Sequence, residues 1–248
     1  MPGTENVSSS RRDLVPFGAV VLSEVLRAGK FDTVLFSALG VREGYLYGLL
    51  KPEDRAIDPL LQGAEEISIL RSRSPAHAND LIDFTADCLA ALKIKETPEE
   101  QRLRKVACYL SDIGWRGHPD YRGEQSVDLV AYGSLSGIDH PGRAFLAEAL
   151  AVRYMGLKHK SISQPLMTLA GPSANMKARL LGAMFRVAYP MSAAMPGVLP
   201  RAKFMLDGAT LQLKLPQDLA FLAGEHLEAR LDQLATVAGV KSSEMLAS

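Results

Sequence analysis

Cysteine, aromatic residues and long apolar runs are all scarce in this sequence, and each scarcity excludes a class of protein. Two of the 248 residues are Cys, one is Trp, and aromatic residues make up 6%. No apolar run reaches the roughly 18 residues of a transmembrane helix, and the polar first residues lack the apolar core of a signal peptide. Cys88 and Cys108 both lie in apolar helical patterns, which favours buried free thiols in a reducing compartment. We therefore expect a cytoplasmic protein without a membrane partner.

The formal net charge is zero, but the charges are unevenly distributed along the chain. Residues 1–100 contain 11 Lys and Arg against 16 Asp and Glu, whereas residues 101–200 contain 12 against 6. A local positive zone attracts anions even when the whole chain is neutral. The alternative interpretation is that these basic side chains only solvate the outer faces of helices.

Apolar residues recur at helical spacing along most of the chain, with Gly and Pro near the ends of the runs. The segment "TPEE" combines an N-cap Thr97, Pro98 and Glu100 in a capping box, which is a strong helix start. Because 47% of the residues are hydrophobic, the chain can bury a substantial core. Helices are predicted near residues 13–29, 41–50, 81–92, 97–110, 124–133, 141–156, 172–187 and 217–238.

Two regions favour β structure. The segment "TVLFSAL", Thr33 to Leu39, predicts a short buried strand between two helices, and such a strand needs partners for its backbone groups. Near the end of the chain, Asp207-Gly208 separates two strand-like runs and predicts a β-hairpin with a two-residue loop. The expected fold class is mainly α, with a helix–strand–helix segment at 1–50, a linker at 51–64, a helical bundle at 65–200 and a hairpin plus helix at 201–248.

The stretch "YLSDIGWRGHPDYRGEQ", residues 109–125, resembles the metal-binding segment of helical His-Asp phosphohydrolases. In that group a His-Asp pair at the end of an apolar helix binds a divalent metal. Here Asp112 is present but Ser111 stands where the His should be, and serine is a poor ligand for Mn, Fe or Zn. A GxxxxGKS phosphate loop, a GxSxG nucleophile segment and a zinc-type Cys/His cluster are also absent. We therefore expect no bound metal, no cofactor and no catalytic residue in this chain.

Basic residues around this stretch indicate a different chemistry. Arginine forks pair bidentately with phosphate oxygens. The low aromatic content offers no platform for stacking bases, so a linear phosphate polymer fits these charges better than a nucleic acid does. The residues predicted to bind polyphosphate are Arg104, Arg116, Arg122, Arg153 and Lys158. Asp112 is then expected to be a helix-end carboxylate that orients one of these arginines.

The order of segments resembles the C-terminal portion of the exopolyphosphatase and guanosine pentaphosphate phosphatase family. Residues 13–50, with "REG" at 42–44, are similar to the segment that closes the family's second actin-like ATPase-fold domain. The segments "SPAHANDLIDFTADC" (74–88), "RLRKVACYLSDIGWRGH" (102–118) and "LAVRYMGLKH" (150–159) follow in the order of the family's helical His-Asp-like domain. The chain departs from the family at Ser111, and at Met155, where members often have a His after "RY".

The resemblance implies that residues 1–50 are the remnant of an actin-like domain and that the catalytic domains are missing from this chain. It implies hydrolytic release of terminal phosphate from polyphosphate by the full-length protein, with Mg as its expected cofactor and polyphosphate or pppGpp as its ligand. The function expected here is a C-terminal module that binds the polyphosphate chain, forms a homodimer and is inactive alone. Two alternatives stay open: a divergent His-Asp phosphohydrolase acting on a nucleotide, and a ligand-free dimerisation domain.

Overall fold

The protein is mainly helical, with a small three-stranded sheet near the end of the chain. The computed structural model describes residue 4 and residues 7–37, 39–159 and 164–247. The chain divides into two compact units, Met1–Ala56 and Ile57–Ser248. The mainly α fold class is therefore confirmed. Within the described residues, no helix combines the length and the apolar character needed to cross a membrane.

The first unit contains helices of 4 to 15 residues joined by turns and irregular segments. Its helices, within the described residues, are α1 (Ser9–Arg12), α2 (Val15–Gly29), α3 (Val41–Leu49) and α4 (Pro52–Arg55). The strand predicted at Thr33–Leu39 is wrong for the described part of that segment, residues 33–37 and 39, which form no strand. An isolated strand has no ladder to join, and here Leu35 and Phe36 are 91% and 87% exposed instead of buried. Ala38 lies outside the described residues.

The second unit is a helical bundle to which the sheet is attached. Its helices, within the described residues, are α5 (Pro59–Arg71), α6 (His77–Ala91), α7 (Pro98–Leu110), α8 (Arg122–Ala131), α9 (His140–Met155), α10 (Gln164–Ser192) and α11 (Glu225–Val237). Helix α5 starts inside the segment assigned to a linker, because the Asp58 carboxylate caps it by accepting from the backbone N–H of Leu60. Helix α10 is broken at Gly171, whose φ of 75° lies in the left-handed region, and Pro172 restarts it as predicted.

Helix α7 starts as the sequence predicts. The Thr97 side chain accepts from the backbone N–H of Glu100, and the Glu100 carboxylate accepts from the backbone N–H of Thr97. The helix then runs through the apolar core and ends at Leu110. This placement delivers Ser111 and Asp112, the two residues of the motif, to the end of a buried helix.

Helices α9 and α10 pack unusually closely, and this contact positions the candidate site. A Cβ atom added at Gly182 would lie 2.5 Å from Val152 Cβ and 2.7 Å from the Ala149 carbonyl oxygen. Glycine is therefore required for the two backbones to approach this closely. One residue past Val152 on α9 is Arg153, and one turn past Gly182 on α10 is Arg186. The close contact brings these two arginines side by side.

The two cysteines are buried where α6 and α7 meet. Cys88 and Cys108 are free thiols, 0% and 1% exposed, as the sequence predicted. Burial in apolar surroundings raises the pKa of both thiols above the usual range. Because the thiolate is the reactive form, neither cysteine is nucleophilic in the folded protein.

The C-terminal sheet confirms the predicted hairpin and adds a strand. Strands β1 (Lys203–Asp207) and β2 (Thr210–Leu215) are antiparallel, and Asp207 pairs with Thr210. The two-residue loop is therefore Gly208-Ala209, one residue later than the predicted Asp207-Gly208, because Asp207 still belongs to β1. Strand β3 (Ser242–Ala247) pairs in parallel with β2. The helix predicted at 217–238 is divided into a 3-10 helix, Gln217–Leu222, and α11. Helix α11 packs against α10 and so brings its own basic residues to the bundle.

Candidate anion-binding site

A polar cleft of about 340 Å³ opens in the second unit, and arginine side chains dominate its walls. The residues that line it are Arg73, Asp112, Trp115, Arg122, Arg153, Tyr154, Arg186, Tyr189, Pro190, His226 and Arg230. The arginines come from the segment just after α5 and from α8, α9, α10 and α11, so the bundle gathers them from distant parts of the sequence. Asp112 is the only acidic residue among the described residues of the lining.

Asp112 is buried at the bottom of this arrangement and holds Arg73. Only 4% of Asp112 is exposed. Arg73 donates from Nη2 to Oδ1 at 2.7 Å, from Nε to Oδ2 at 3.0 Å, and from its backbone N–H to Oδ2 at 3.1 Å. The carboxylate raises the pKa of the Arg73 guanidinium, chiefly through these hydrogen bonds. The Nη2 of Arg153 lies 3.8 Å from the same Oδ1, so Asp112 faces two arginines.

Aromatic rings hold the guanidinium groups in place. The Cζ atom of Arg153 lies 3.4 Å from the ring centroid of Tyr189 and 4.6 Å from that of Tyr154. The Cζ atom of Arg73 lies 6.0 Å from the Trp115 ring and 5.9 Å from the Tyr189 ring. These are cation–π distances, at which the ring faces attract the cations. The aromatic faces of the cleft are thus used to orient arginines.

Both tyrosines stay neutral at physiological pH. Burial raises the pKa of Tyr189 well above its usual range, although the Arg153 charge opposes the change. Burial likewise raises the pKa of Tyr154. The Tyr189 hydroxyl pairs with Ser111 Oγ at 2.7 Å, and the Tyr154 hydroxyl accepts from the backbone N–H of Gly114. The cleft therefore carries positive charge without tyrosinate anions to offset it.

Ser111 and Met155, the two positions at which the sequence departs from the His-Asp resemblance, both pack into the helical framework. Ser111 is fully buried and donates to the Cys108 carbonyl, besides its contact with Tyr189. Met155 packs against α8, where a Cβ at Gly123 would lie 2.6 Å from Met155 Cγ. Within the described ranges no group of three or more His, Cys, Asp or Glu side chains could hold a metal ion. The absence of a metal at Asp112 stays a prediction.

Arg186 and Arg230 have few partners of their own. Arg186 Nη1 makes only long contacts, 3.4 Å to the Val152 carbonyl and 3.5 Å to the Arg153 carbonyl. The pKa of Arg186 is lowered to about 10, chiefly by burial and to a smaller extent by the charges of Arg230 and Arg153. Arg230 Nη1 contacts Gln233 Oε1 at 3.3 Å. Neither arginine forms an ion pair with an acidic residue among the described residues.

Of the five residues predicted to bind polyphosphate, Arg122 and Arg153 line the cleft. Arg104 does not reach it: this residue is buried, its Nε bonds both carboxylate oxygens of Glu96 at 2.9 and 3.0 Å, and its Nη1 donates to the Ile82 carbonyl. Arg116 is exposed, with its Cζ 5.3 Å from the Trp115 ring, and Lys158 is exposed on the loop after α9. Neither Arg116 nor Lys158 lines the cleft.

Sequence reasoning missed four basic residues of the lining: Arg73, Arg186, His226 and Arg230. One signal was present, because residues 149–206 contain eight Lys and Arg and no Asp or Glu. Such a segment carries a local positive charge, which attracts an anion wherever carboxylates from other parts of the chain do not pair with it, as Glu148 does with Arg179. Arg73 and Arg230 carried no such signal, because both lie outside residues 149–206. Arg230 also has Glu228 and Asp232 close to it in sequence.

A second buried polar cluster lies between α9 and α10. Glu148 is fully buried, and its Oε1 accepts from Arg179 Nη1 at 2.7 Å and contacts His159 Nε2 at 3.2 Å. Burial raises the pKa of Glu148, but the bonds with His159 and Arg179 outweigh it and leave the pKa lowered. Arg179 also donates to the Leu157 carbonyl at 2.6 Å. The cluster fixes the start of the loop that follows α9, next to Arg153.

Comparison with known proteins gives one clear relationship. The family model described as "Exopolyphosphatase, C-terminal" matches residues 60–245, which include the described cleft. No curated protein matches the chain. The family match spans about three quarters of the sequence and begins at the helix that carries the first residues of the second unit. The chain therefore belongs to the exopolyphosphatase C-terminal domain family.

Proposed function

We propose that this chain is the polyphosphate-binding module of an exopolyphosphatase and that the arginine-lined cleft receives the phosphate chain. The observation that carries the proposal is the charge of the cleft, where five arginines meet one carboxylate that Arg73 already occupies. A phosphate next to a guanidinium forms charge-assisted hydrogen bonds, each worth roughly 1.5–3 kcal/mol before screening. A polymer that contacts several arginines gains these bonds with one ordering cost.

The aromatic residues favour a phosphate chain over a nucleic acid. Single-stranded nucleic acids bind through bases stacked on open aromatic faces. Here the ring of Tyr189 carries Arg153, the ring of Tyr154 carries Arg153 and Arg122, and the ring of Trp115 carries Arg73 and Arg116. Arginines therefore occupy the neighbourhood of each ring, which supports a ligand that has phosphates and needs no stacked base.

Long-chain polyphosphate titrated into the protein tests the proposal, with Trp115 emission as the readout because the only Trp lines the cleft. If about four cations contact the chain, affinity falls roughly 50-fold between 50 and 200 mM salt. Arg122→Gln removes one contact, so we expect about fivefold or greater weakening and a shallower salt slope. Lys241→Gln, the same charge change at an exposed residue outside the cleft, is the control and leaves both unchanged.

Two results contradict the proposal. One is binding that Arg122→Gln and Lys241→Gln weaken equally, which means that surface charge alone attracts the polymer. The other is equal affinity for single-stranded RNA of the same charge, because the cleft is then not selective for phosphate without bases. A homodimer and the lack of phosphate release by this chain alone stay predictions, which sedimentation and a phosphate-release assay check.

A further inference from the structure

Three partly buried arginines of the cleft lining have no carboxylate within hydrogen-bond distance among the described residues. These are Arg153, Arg186 and Arg230, from α9, α10 and α11. The acidic residue that shares the described cleft lining with them is Asp112, whose Oδ1 lies 3.8 Å from Arg153 Nη2, beyond hydrogen-bond distance. Both carboxylate oxygens of Asp112 instead accept hydrogen bonds from Arg73. Charges that are partly withdrawn from water are ordinarily paired, and these three arginines have no hydrogen-bonded carboxylate in the described part of the chain.

Two donors in the group are buried and have no acceptor. The Nε atoms of Arg153 and Arg186 are both inaccessible to solvent and form no hydrogen bond. A buried N–H without a partner is rare in folded proteins, and each one calls for an explanation such as a bound ion. Arg153 cannot easily turn away to find a partner, because the Tyr154 and Tyr189 rings hold its guanidinium.

The mutual repulsion of these cations points in the same direction. Arg186 lies close enough to Arg153 and Arg230 for both charges to lower its pKa, after the larger effect of burial. At a pKa of about 10 the group is still charged at neutral pH. Three like charges around one cleft repel each other, which costs free energy. An anion bound between them removes this repulsion and supplies acceptors for the unbonded Nε donors of Arg153 and Arg186.

We infer that Arg153, Arg186 and Arg230 form a subsite for one tetrahedral oxyanion, and that free orthophosphate competes there with the phosphate chain. Three guanidinium groups that line one cleft suit the tetrahedral oxygens of phosphate, which accept bidentate hydrogen bonds from arginine. Arg73 is excluded from the subsite because Asp112 takes its donors. The competition rests on the proposed function, whereas the oxyanion subsite does not.

Calorimetric titration with sodium phosphate, against sodium chloride at equal ionic strength, tests the subsite in the full chain. We expect phosphate to bind the wild type and to raise its melting temperature, and chloride to do neither. Arg186→Gln and Arg230→Gln should each weaken phosphate binding by at least about fivefold, since each removes one charge-assisted contact. Arg230→Lys keeps the charge and should recover part of the affinity. Lys241→Gln, at an exposed residue outside the cleft, is the control and should bind phosphate as the wild type does.

Circular dichroism of each variant checks folding, and Arg230→Gln decides the matter if Arg186→Gln does not fold, because Arg230 is only partly buried. Equal effects of phosphate and chloride overturn the subsite, as does unchanged phosphate affinity in the Arg230→Gln variant. The same titration with sulfate shows whether the subsite selects a tetrahedral oxyanion in general: sulfate binding that the variants weaken equally supports it.

A displacement assay separates this inference from the proposed function. Labelled polyphosphate is bound to the protein and orthophosphate is added at constant ionic strength. Displacement in the wild type, lost in Arg230→Gln, supports the competition, and no displacement overturns it. If polyphosphate does not bind while orthophosphate still does, the proposed function fails and the subsite stands. If polyphosphate binds equally to wild type and Arg230→Gln, the subsite takes no part in chain binding and the competition is rejected.

Discussion

Replacement of His77 by Gln should remove much of the acid sensitivity of the second unit. His77 is 2% exposed, and its Nε2 lies 2.8 Å from Ser192 Oγ, while its ring meets the Tyr189 ring edge-on at 5.3 Å. Burial lowers the pKa of His77 to about 4. The folded protein therefore keeps this imidazole neutral at a pH where the unfolded chain protonates it.

The charges around His77 partly cancel. Asp112 and Asp80 raise its pKa, whereas Arg153 and Arg73 lower it, and all four effects are smaller than that of burial. The cleft and the buried histidine therefore share an electrostatic environment.

The sign and size of the effect follow from the two pKa values. Between pH 6.5, the ordinary value for His, and pH 4, the unfolded chain binds a proton that the folded protein does not bind. Stability is therefore complete above pH 6.5 and falls as the pH drops through this window. The full change in the His77 pKa corresponds to about 3 kcal/mol of unfolding free energy. Lowering the pH from 7.5 to 5 removes about 2 kcal/mol of this contribution. Below pH 4 the contribution of His77 stays constant.

Urea unfolding at pH 7.5 and pH 5, followed by Trp115 emission, measures this difference. Trp115 suits the purpose because it lies in the same unit as His77. We expect the wild type to lose about 2 kcal/mol more than His77→Gln between these pH values, because glutamine does not titrate. His118→Gln is the control, since it replaces an exposed histidine by the same side chain. A His77→Gln variant with the same pH dependence as the wild type would refute the reasoning.

Three further predictions concern packing, a buried ion pair and the motif. Gly182→Ala should destabilise the protein by about 1–3 kcal/mol, because the new methyl group overlaps α9. Gly63→Ala is the control: no atom lies near its Cβ position, so this change should stabilise the protein by up to about 1 kcal/mol. Urea unfolding compares the two variants. Arg104→Met should cost roughly 3–5 kcal/mol by leaving Glu96 unpaired, and the double replacement with Glu96→Leu should recover most of it. Elemental analysis should find no stoichiometric Mn, Fe or Zn, and a metal lost in Asp112→Asn would contradict this.

Local patterns were enough to predict most of the helices and the hairpin. The capping box at Thr97, the restart at Pro172 and the alternation around Leu213 each specify backbone structure through neighbours in the sequence. Strand β3 was missed because "SSEMLA" has no alternation and its partner β2 lies about 30 residues earlier. The segment at Thr33 shows the reverse error, because its β-branched composition favours a strand whose pairing partner the described chain does not supply.

The candidate site was only partly readable for a related reason. Asp112 was expected to orient one of the arginines assigned to polyphosphate binding, but it hydrogen-bonds Arg73, which was not among them, and lies 3.8 Å from Arg153, which was. The partner Arg73 lies 39 residues away, and no local pattern links the two. Arg104 has the same sequence character as Arg122, but a nearby acceptor, Glu96, draws it into the core. Whether an arginine serves a ligand or an internal carboxylate depends on tertiary neighbours, which spacing along the chain does not reveal.

The buried thiols of Cys88 and Cys108 allow the opening of the helical core to be measured by chemical labelling. A thiol reagent reaches them only when α6 separates from α7, so the alkylation rate reports how often the helical core opens. No probe has to be introduced for this measurement. A ligand that binds only the folded cleft reduces the open population by the factor 1 + [L]/Kd and slows labelling to the same extent. Labelling at increasing phosphate concentration would therefore yield a binding constant from two residues that never touch the ligand.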